Sequence, residues 1–405
     1  MTALPPYKRN LIVLWFGSFF TGTSLSLVIP FLPLFIDTLG EFSRQELSFY
    51  SGIIIATPFL MTALISPVWG RLADRSGRKL MLLRASLGMS VFMLATGFVT
   101  NIWALLVIRA LFGLFSGFIS NAVALIAVQI PKEESGKVMG TLNTAHVGGM
   151  LLGPIFGGTM VSFIGYSTLF FVTGGILVLV FILTLALVKE DFTPLPKGQK
   201  TSIKLVFSNL NNPRLIIGMF LTTLMITLTA SSINPILSLY VRDILPTDGN
   251  VEFWSGIVAA APGLVMIFAA PQLGALGDRI GTKKILIFGL IVQIVVFLPM
   301  AFVTAVWQLV ALRLILGIAN ASLLPSTQSI LTRNTPKEVT SRVFSYNQSA
   351  QSTGMVLGPL VGAAISGLLD IHYVFFATMV FAFINLLIVV RVNRGDTDND
   401  PALNN

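Results

Sequence analysis

Residues Gly140 to Gly158 read GTLNTAHVGGMLLGPIFGG, and the reading of this stretch decides how the chain is built. Taken as a helix, it puts Gly149, Gly153 and Gly157 at i, i+4 and i+8. With no side chains they leave a smooth groove that lets another helix backbone come close. Pro154 removes a backbone donor and crowds the turn before it, so the helix should bend where its surface is barest. A near copy, GMVLGPLVGA, runs from Gly354 to Ala363 and repeats the pair as Gly358-Pro359. Tight structural packing accounts for the glycines. Their recurrence at matched places suggests in addition two halves that rock.

Composition agrees with a bilayer as solvent. The 405 residues are 54% hydrophobic and 11% charged, with a mean hydropathy of +0.85. That is far more apolar surface than a soluble domain buries, so a polytopic, all-α membrane protein is expected. The absence of cysteine excludes disulfides and thiolate metal sites. A net charge of +9 would suggest nucleic acid in a soluble chain, but here its placement carries the information.

Twelve apolar segments of roughly 20 residues can be drawn, at 11–36, 49–70, 80–99, 103–128, 138–164, 168–188, 214–241, 253–276, 284–304, 307–331, 342–368 and 372–391. The first lacks an Ala-x-Ala-like cleavage site and is expected to be retained. With the N-terminus inside, the 26 Lys and Arg all fall on the cytoplasmic side except Arg44 and Arg242 outside and Arg109 and Arg313 within segments. The positive-inside rule therefore places both termini in the cytoplasm of a multi-pass cell-membrane protein.

The order is a repeat. At an offset of 204, Ser51-Gly52 matches Ser255-Gly256, Pro58 matches Pro262, Gly70 matches Gly274, Asp74 matches Asp278 and Arg109 matches Arg313. At 205, Pro30 matches Pro235 and Gly153-Pro154 matches Gly358-Pro359. This predicts a six-helix bundle over 1–188, a polar cytoplasmic linker over 189–213, a second six-helix bundle over 214–394 and a disordered tail over 395–405. Duplicated halves with a site between them are a common plan of secondary transporters.

Gly70 to Lys79, GRLADRSGRK, forms the short turn between segments 2 and 3. Its glycines permit a tight reversal, and Asp74 sits among Arg71, Arg75, Arg78 and Lys79. A carboxylate in such a cluster can be bonded in one conformation and released in another. A basic loop that only sets topology is the plainer reading. The second copy, from Gly274, keeps Asp278-Arg279 with fewer bases.

With this loop, the segment LLVIRALFGLFSG around Arg109, the Gly140–Gly158 pattern and Pro30-Phe-Leu-Pro33, the chain resembles the major facilitator superfamily over essentially its whole length. Within it, the chain is similar to the twelve-helix drug:proton antiporter family, MdtG/PmrA-like branch. The resemblance implies two pseudo-symmetric six-helix bundles that export amphipathic drugs in exchange for protons. It implies that Gly70, Asp74, Arg75, Gly77, Arg78, Asp278 and Arg279 form gating latches. It implies that Arg109 takes part in coupling, and that Gly140, Gly149, Gly153, Pro154, Gly157 and Gly158 pack segment 5 against segment 8, with Gly358 and Pro359 their counterparts.

The residues themselves say the following about coupling. Arg109 lies about six residues into its segment, and a mid-membrane Arg costs roughly 2.5–3.5 kcal/mol on insertion scales. It should face a wet cavity or a polar partner, or else snorkel to the nearer surface, as should Arg313. His146 shares a helix face with Gly149 and suits either a proton relay or a neutral hydrogen-bonded packing role. All 17 carboxylates fall in loops or at segment ends, with Asp37 and Asp243 at the outer mouth the nearest coupling candidates. Asn121, Asn143, Asn234, Asn347 and Gln348 sit at cavity depth, where interhelical hydrogen bonding is the alternative role. The 31 Phe and 14 Met suit an adaptable apolar pocket.

No phosphate-binding loop of the Gly-x4-Gly-Lys-Ser/Thr type, metal-ligand spacing or nucleophile–base pair occurs, so no ATP, cofactor, metal or enzymatic activity is expected. The expected partners are a small amphipathic substrate, protons and the lipid bilayer, without nucleic acid, for a monomer. The alternatives are an exporter of one specific metabolite, such as a sugar or peptide, and a non-transporting membrane sensor.

Overall fold

The structure is a computed structural model that describes residues 6–130, 134–190, 192, 212–246, 249–336 and 339–397. Most of the 189–213 linker and the end of the tail lie outside these residues, as does the side chain of Asp74. Fourteen α-helices run through the described residues: α1 Pro6–Val28, α2 Leu32–Asp37, α3 Arg44–Ser76, α4 Arg78–Thr96, α5 Ile102–Phe115, α6 Phe118–Gln129 and α7 Ser135–Leu187. They continue with α8 Pro213–Ser232, α9 Leu237–Ile244, α10 Val251–Ile280, α11 Thr282–Met300, α12 Val306–Arg333, α13 Thr340–Leu368 and α14 Ile371–Thr397.

Three physical causes convert the twelve expected spans into these helices. Segments 1 and 7 break where Pro30 and Pro235 withhold a backbone donor, giving α1/α2 and α8/α9. Segment 4 breaks at Gly117, whose φ of +119° suits glycine, giving α5/α6. Segments 5 and 6 are two helices that meet without a loop at Gly165, whose non-helical φ of +73° turns the chain, and α7 denotes the two together. By length and hydropathy ten helical stretches of the described residues are fit to cross a membrane, and one of them, Val138–Leu187 with 50 residues, is long enough for two. The polar run over 345–353 keeps α13 below that hydropathy.

Prolines inside α3 (Pro58, Pro67) and α10 (Pro262, Pro271) recur at the same repeat positions. In a bilayer such breakers are tolerated because neighbouring helices and Ser/Thr hydroxyls satisfy the freed groups. Thr62 Oγ1, for instance, donates to both the Pro58 and the Gly113 carbonyls at 2.8 and 2.9 Å.

The chain forms two compact units. One holds Met1–Ser43, Ile53–Gly198 and Thr247–Ala260; the other holds Arg44–Gly52, Gln199–Pro246 and Ala261–Asn405. In the first, α7 packs along α1 and α4. In the second, α13 and α14 pack on α8, and α11 packs on α12 and α14. Leu215, Met219, Leu286, Leu290 and Leu323 are fully buried in the core of the second unit. Large apolar side chains also point outward, Phe163 and Leu368 with 84% and 81% of their surface exposed, as lipid-facing helices require.

Candidate functional site

The glycine face quoted at the outset meets α1. A Cβ on Gly149 would lie 2.2 Å from the Phe19 carbonyl oxygen, one on Gly153 would lie 2.0 Å from Ser26 Oγ, and one on Gly157 would lie 2.6 Å from the Leu27 carbonyl oxygen. The expectation that all of these glycines face segment 8 is therefore corrected. Only Gly158 does, with its Cβ position 2.7 Å from the Glu252 carbonyl oxygen, beside Gly256 of α10. Among the described residues no atom lies within 4 Å of the Cβ position of Gly140. The reason is geometric: at one residue's remove from the i, i+4, i+8 stripe, Gly158 points about 100° away.

The second unit repeats the device. Gly354, Gly358 and Gly362 lie against Leu224, Leu228 and Ser232 of α8, with Cβ positions 2.6, 2.7 and 1.9 Å from their carbonyl oxygens. Gly52, on the stretch of α3 that belongs to this unit, sits against the Pro359 carbonyl, as Gly256 sits against the Pro154 carbonyl in the first unit.

At the α3–α4 turn, Gly77 has φ +89°, and its counterpart Gly281 has φ +104°. Both glycines are thus needed for the reversal itself. Glu190, which the sequence reading did not single out, caps α4. Its two carboxylate oxygens accept from the backbone N–H groups of Arg78 and Lys79 at 2.9 and 2.7 Å. A carboxylate at a helix N-terminus suits both the orphan donors and the helix dipole. Arg75 and Gly70 are exposed. In the second copy Asp278 accepts from Arg333 at 2.8 Å, and Arg279 is exposed. With 57% and 70% of those side chains exposed, this pair contributes little to stability.

Arg109 neither snorkels nor faces open space. It is 6% exposed, with its guanidinium 5.8 Å from the Phe170 ring and 6.0 Å from that of Phe112. Its Nε and one terminal nitrogen have no hydrogen-bond partner. The faces of aromatic rings are negative enough to attract a cation, which partly offsets burial. Arg313 is buried as well, at 8% exposure.

His146 lies at the α1–α7 crossing, where a Cβ on Gly22 would be 3.3 Å from its Nδ1. That nitrogen is buried without a partner. One turn away, Trp15 stacks on Phe19 with ring centres 5.6 Å apart, and its Nε1 donates to Thr144 Oγ1 at 3.3 Å. This aromatic platform was not assignable from sequence among so many phenylalanines.

In the second unit Arg44 pairs with Asp243, and Asp370 lies 4.0 Å from the same guanidinium. Burial holds the Asp243 carboxyl above its ordinary value, and Arg44 pulls it part of the way back. Asp37 ends α2, half-buried. Among the amides, Asn121 donates to the Gly117 carbonyl at 2.8 Å, Asn347 is 3% exposed, Asn234 lies in the α8–α9 break, and Asn143 and Gln348 are exposed.

Comparison with known proteins adds the following. Residues 14–244 and 219–404 match the family model described as Major Facilitator Superfamily. The chain is 48% identical over 379 residues to "Multidrug resistance protein MdtG" of Serratia proteamaculans, covering 94% of this chain and 92% of that one. It is 46% identical over 381 residues to the protein of the same name from Escherichia fergusonii, covering 94% and 93%. Among solved structures, it superimposes on a bacterial homologue of the human lysosomal transporter Spinster with a TM-score of 0.78 at 14% identity, over 97% and 98% of the two chains. It also superimposes on the POT family transporter PepTSo, with a TM-score of 0.80 at 11% identity, over 98% and 99%. At such identities these structures speak for the fold alone.

Proposed function

The chain belongs to the Major Facilitator Superfamily, and from that we propose a secondary active transporter of the cell membrane that exports amphipathic drugs or toxic compounds in exchange for protons. The observation that carries this reading is the 46–48% identity to multidrug resistance proteins over 94% of this chain. Rocker-switch motion of two six-helix halves, 1–188 and 214–394, with both termini in the cytoplasm and the protein a monomer, completes the reading. The close approaches of Gly158 to Gly256 of α10 and of Gly52 to the Pro359 carbonyl of α13 support it, because each brings a helix of one half against a helix of the other over bare surface, with few interdigitated side chains to unlock.

In this reading the Trp15–Phe19 stack of the first unit offers a flat apolar contact to substrates, with Asn143 as an exposed hydrogen-bonding group of the same unit, and Gln348 is the exposed candidate of the second unit. The turn around Gly70, Asp74, Arg75, Gly77 and Arg78 and its counterpart at Asp278 and Arg279 serve as latches. Asp243, Asp37, His146 and Arg109 are the coupling groups. Burial already weakens the hold of Asp243 on its charge, which suits a group that gains and loses a proton. A ligand or proton drives the switch only by the difference in its affinity for the two conformations.

The test is a pH-gradient assay in everted vesicles challenged with unrelated amphipathic compounds. Gradient dissipation by several of them, lost in Arg109→Ala, is the expected result. Labelled substrate that moves without disturbing the gradient would overturn proton coupling.

A further inference from the structure

The break between α5 and α6 has no counterpart in the second unit. Its equivalent at the 204 offset, Asn320–Ala321, lies inside the uninterrupted α12. Around the break the first unit has a cavity of about 280 Å³, lined by Trp69, Arg78, Arg84, Gly117 and Asn121 among others. The second unit has a cavity of about 190 Å³ at the corresponding place, lined by Leu273, Thr282, Ala321 and Pro325 where the first has Trp69, Arg78, Gly117 and Asn121. The position equivalent to Arg84 is Phe288. One fold is thus built twice, once with this polar equipment and once without it, so the equipment is not a requirement of the fold.

The equipment is arranged for negative charge. The Arg84 guanidinium lies 3.9 Å from the centre of the Trp69 ring, and its Nη2 donates to the Ser116 carbonyl at 3.0 Å. Trp69 is itself held by a 2.8 Å hydrogen bond from Nε1 to the Leu114 carbonyl. Nε and Nη1 of Arg84 are buried without partners. A guanidinium has five N–H donors, and on a half-buried arginine such as Arg84 leaving most of them unused costs free energy unless something else pairs with the charge.

Two arginines, Arg78 and Arg84, line the cavity. The start of α6 adds a second positive end, for Gly117 provides no side-chain cap for the first N–H groups of the helix. A Cβ on Gly117 would lie 3.7 Å from both Arg84 Nη2 and Asn121 Nδ2, so these donors and the helix start surround one point. Asn121 gives one amide hydrogen to the Gly117 carbonyl and keeps the other.

We infer that this cavity binds an oxyanion, a phosphate or carboxylate group, held by Arg84 and Asn121 at the break between α5 and α6. Arg84 Nη2 and Asn121 Nδ2 are the donors that face this point, and the charge on the guanidinium strengthens the first of them. The group belongs either to a soluble anion or to the headgroup of an anionic phospholipid, and the test separates the two.

The full-length protein is placed in nanodiscs of neutral phosphatidylcholine and titrated with inorganic phosphate against chloride at constant ionic strength. The readout is Trp69 emission, taken as the difference between the wild type and Trp69→Phe. A saturable change, lost in Arg84→Phe (the residue that the second repeat uses) and weakened in Arg84→Lys and Asn121→Ala, is the expected result for a soluble anion. A lipid headgroup gives instead no phosphate response, together with phosphatidylglycerol retained on the wild type in native mass spectrometry and lost from Arg84→Phe. If Arg84→Phe does not fold, Arg84→Lys and Asn121→Ala decide by the same readouts. The absence of any difference between wild type and these variants in both readouts, Trp69 emission and phosphatidylglycerol retention, overturns the inference.

Discussion

Alanine at Gly149 or Gly153 should destabilise the first unit, and the structure gives the size of the effect. The new methyl at Gly149 would lie 2.2 Å from the Phe19 carbonyl oxygen and 2.8 Å from the Thr23 nitrogen. Carbon contacts relax only near 3.5 Å, so α1 and α7 must part by roughly 1 Å along their crossing. Overpacking of this kind typically costs about 1–3 kcal/mol. For a unit of this size that is a fall in Tm of roughly 2–12 °C. At Gly153 the nearest atom is Ser26 Oγ at 2.0 Å, followed by two backbone atoms at 2.9 Å. Ser26→Ala should therefore rescue Gly153→Ala only in part and Gly149→Ala not at all. Gly148 is the internal control: the nearest atoms to its Cβ position are on the Phe19 ring at 3.7 Å, an ordinary contact. The assay is thermal unfolding of the purified protein in one detergent, followed by vesicle transport for variants that survive. Equal Tm values for Gly148→Ala, Gly149→Ala and Gly153→Ala would refute the reasoning.

Two further outcomes are expected. Burial raises the Asp243 pKa in the fold, so the folded state binds the proton more tightly than the unfolded one. The resulting contribution is fully present below the unfolded value of about 3.8 and is lost as pH rises through the folded value. Acidification from neutral pH should thus stabilise the wild type more than Asp243→Asn, which carries no such proton, and equal Tm shifts for the two would count against it. Gly117→Ala puts a side chain on a left-handed residue and should cost roughly 1–3 kcal/mol. Gly140→Ala, in a helix with no atom of the described residues within 4 Å of the new methyl, should be neutral or slightly stabilising, and thermal unfolding of the pair separates the two effects.

Much of this protein was legible in its sequence, because a bilayer leaves few solutions. Apolar runs near 20 residues must be helices, since no water is present to satisfy any other backbone. Fixed-offset matches such as Gly52 with Gly256 and Pro154 with Pro359 made the repeat visible, and the structure uses both pairs in the same way. The glycine stripe predicted close helix contact without naming the neighbour. Which backbone fills a groove depends on the azimuth of the helix in the bundle, and only packing placed Gly149, Gly153 and Gly157 on α1 while turning Gly158 to α10. Likewise the depth of Arg109 was readable, whereas its enclosure by Phe112 and Phe170 required tertiary structure. The capping of α4 by Glu190, more than a hundred residues away in the chain, and the pairing of Arg44 with Asp243 left no local trace, because no periodicity records a contact between distant segments. Local chemistry determined the helices, their breaks and their repeat. The direction in which each helix turns its polar groups was decided by the fold, because burying a bare face against one neighbour fixes what every other face meets.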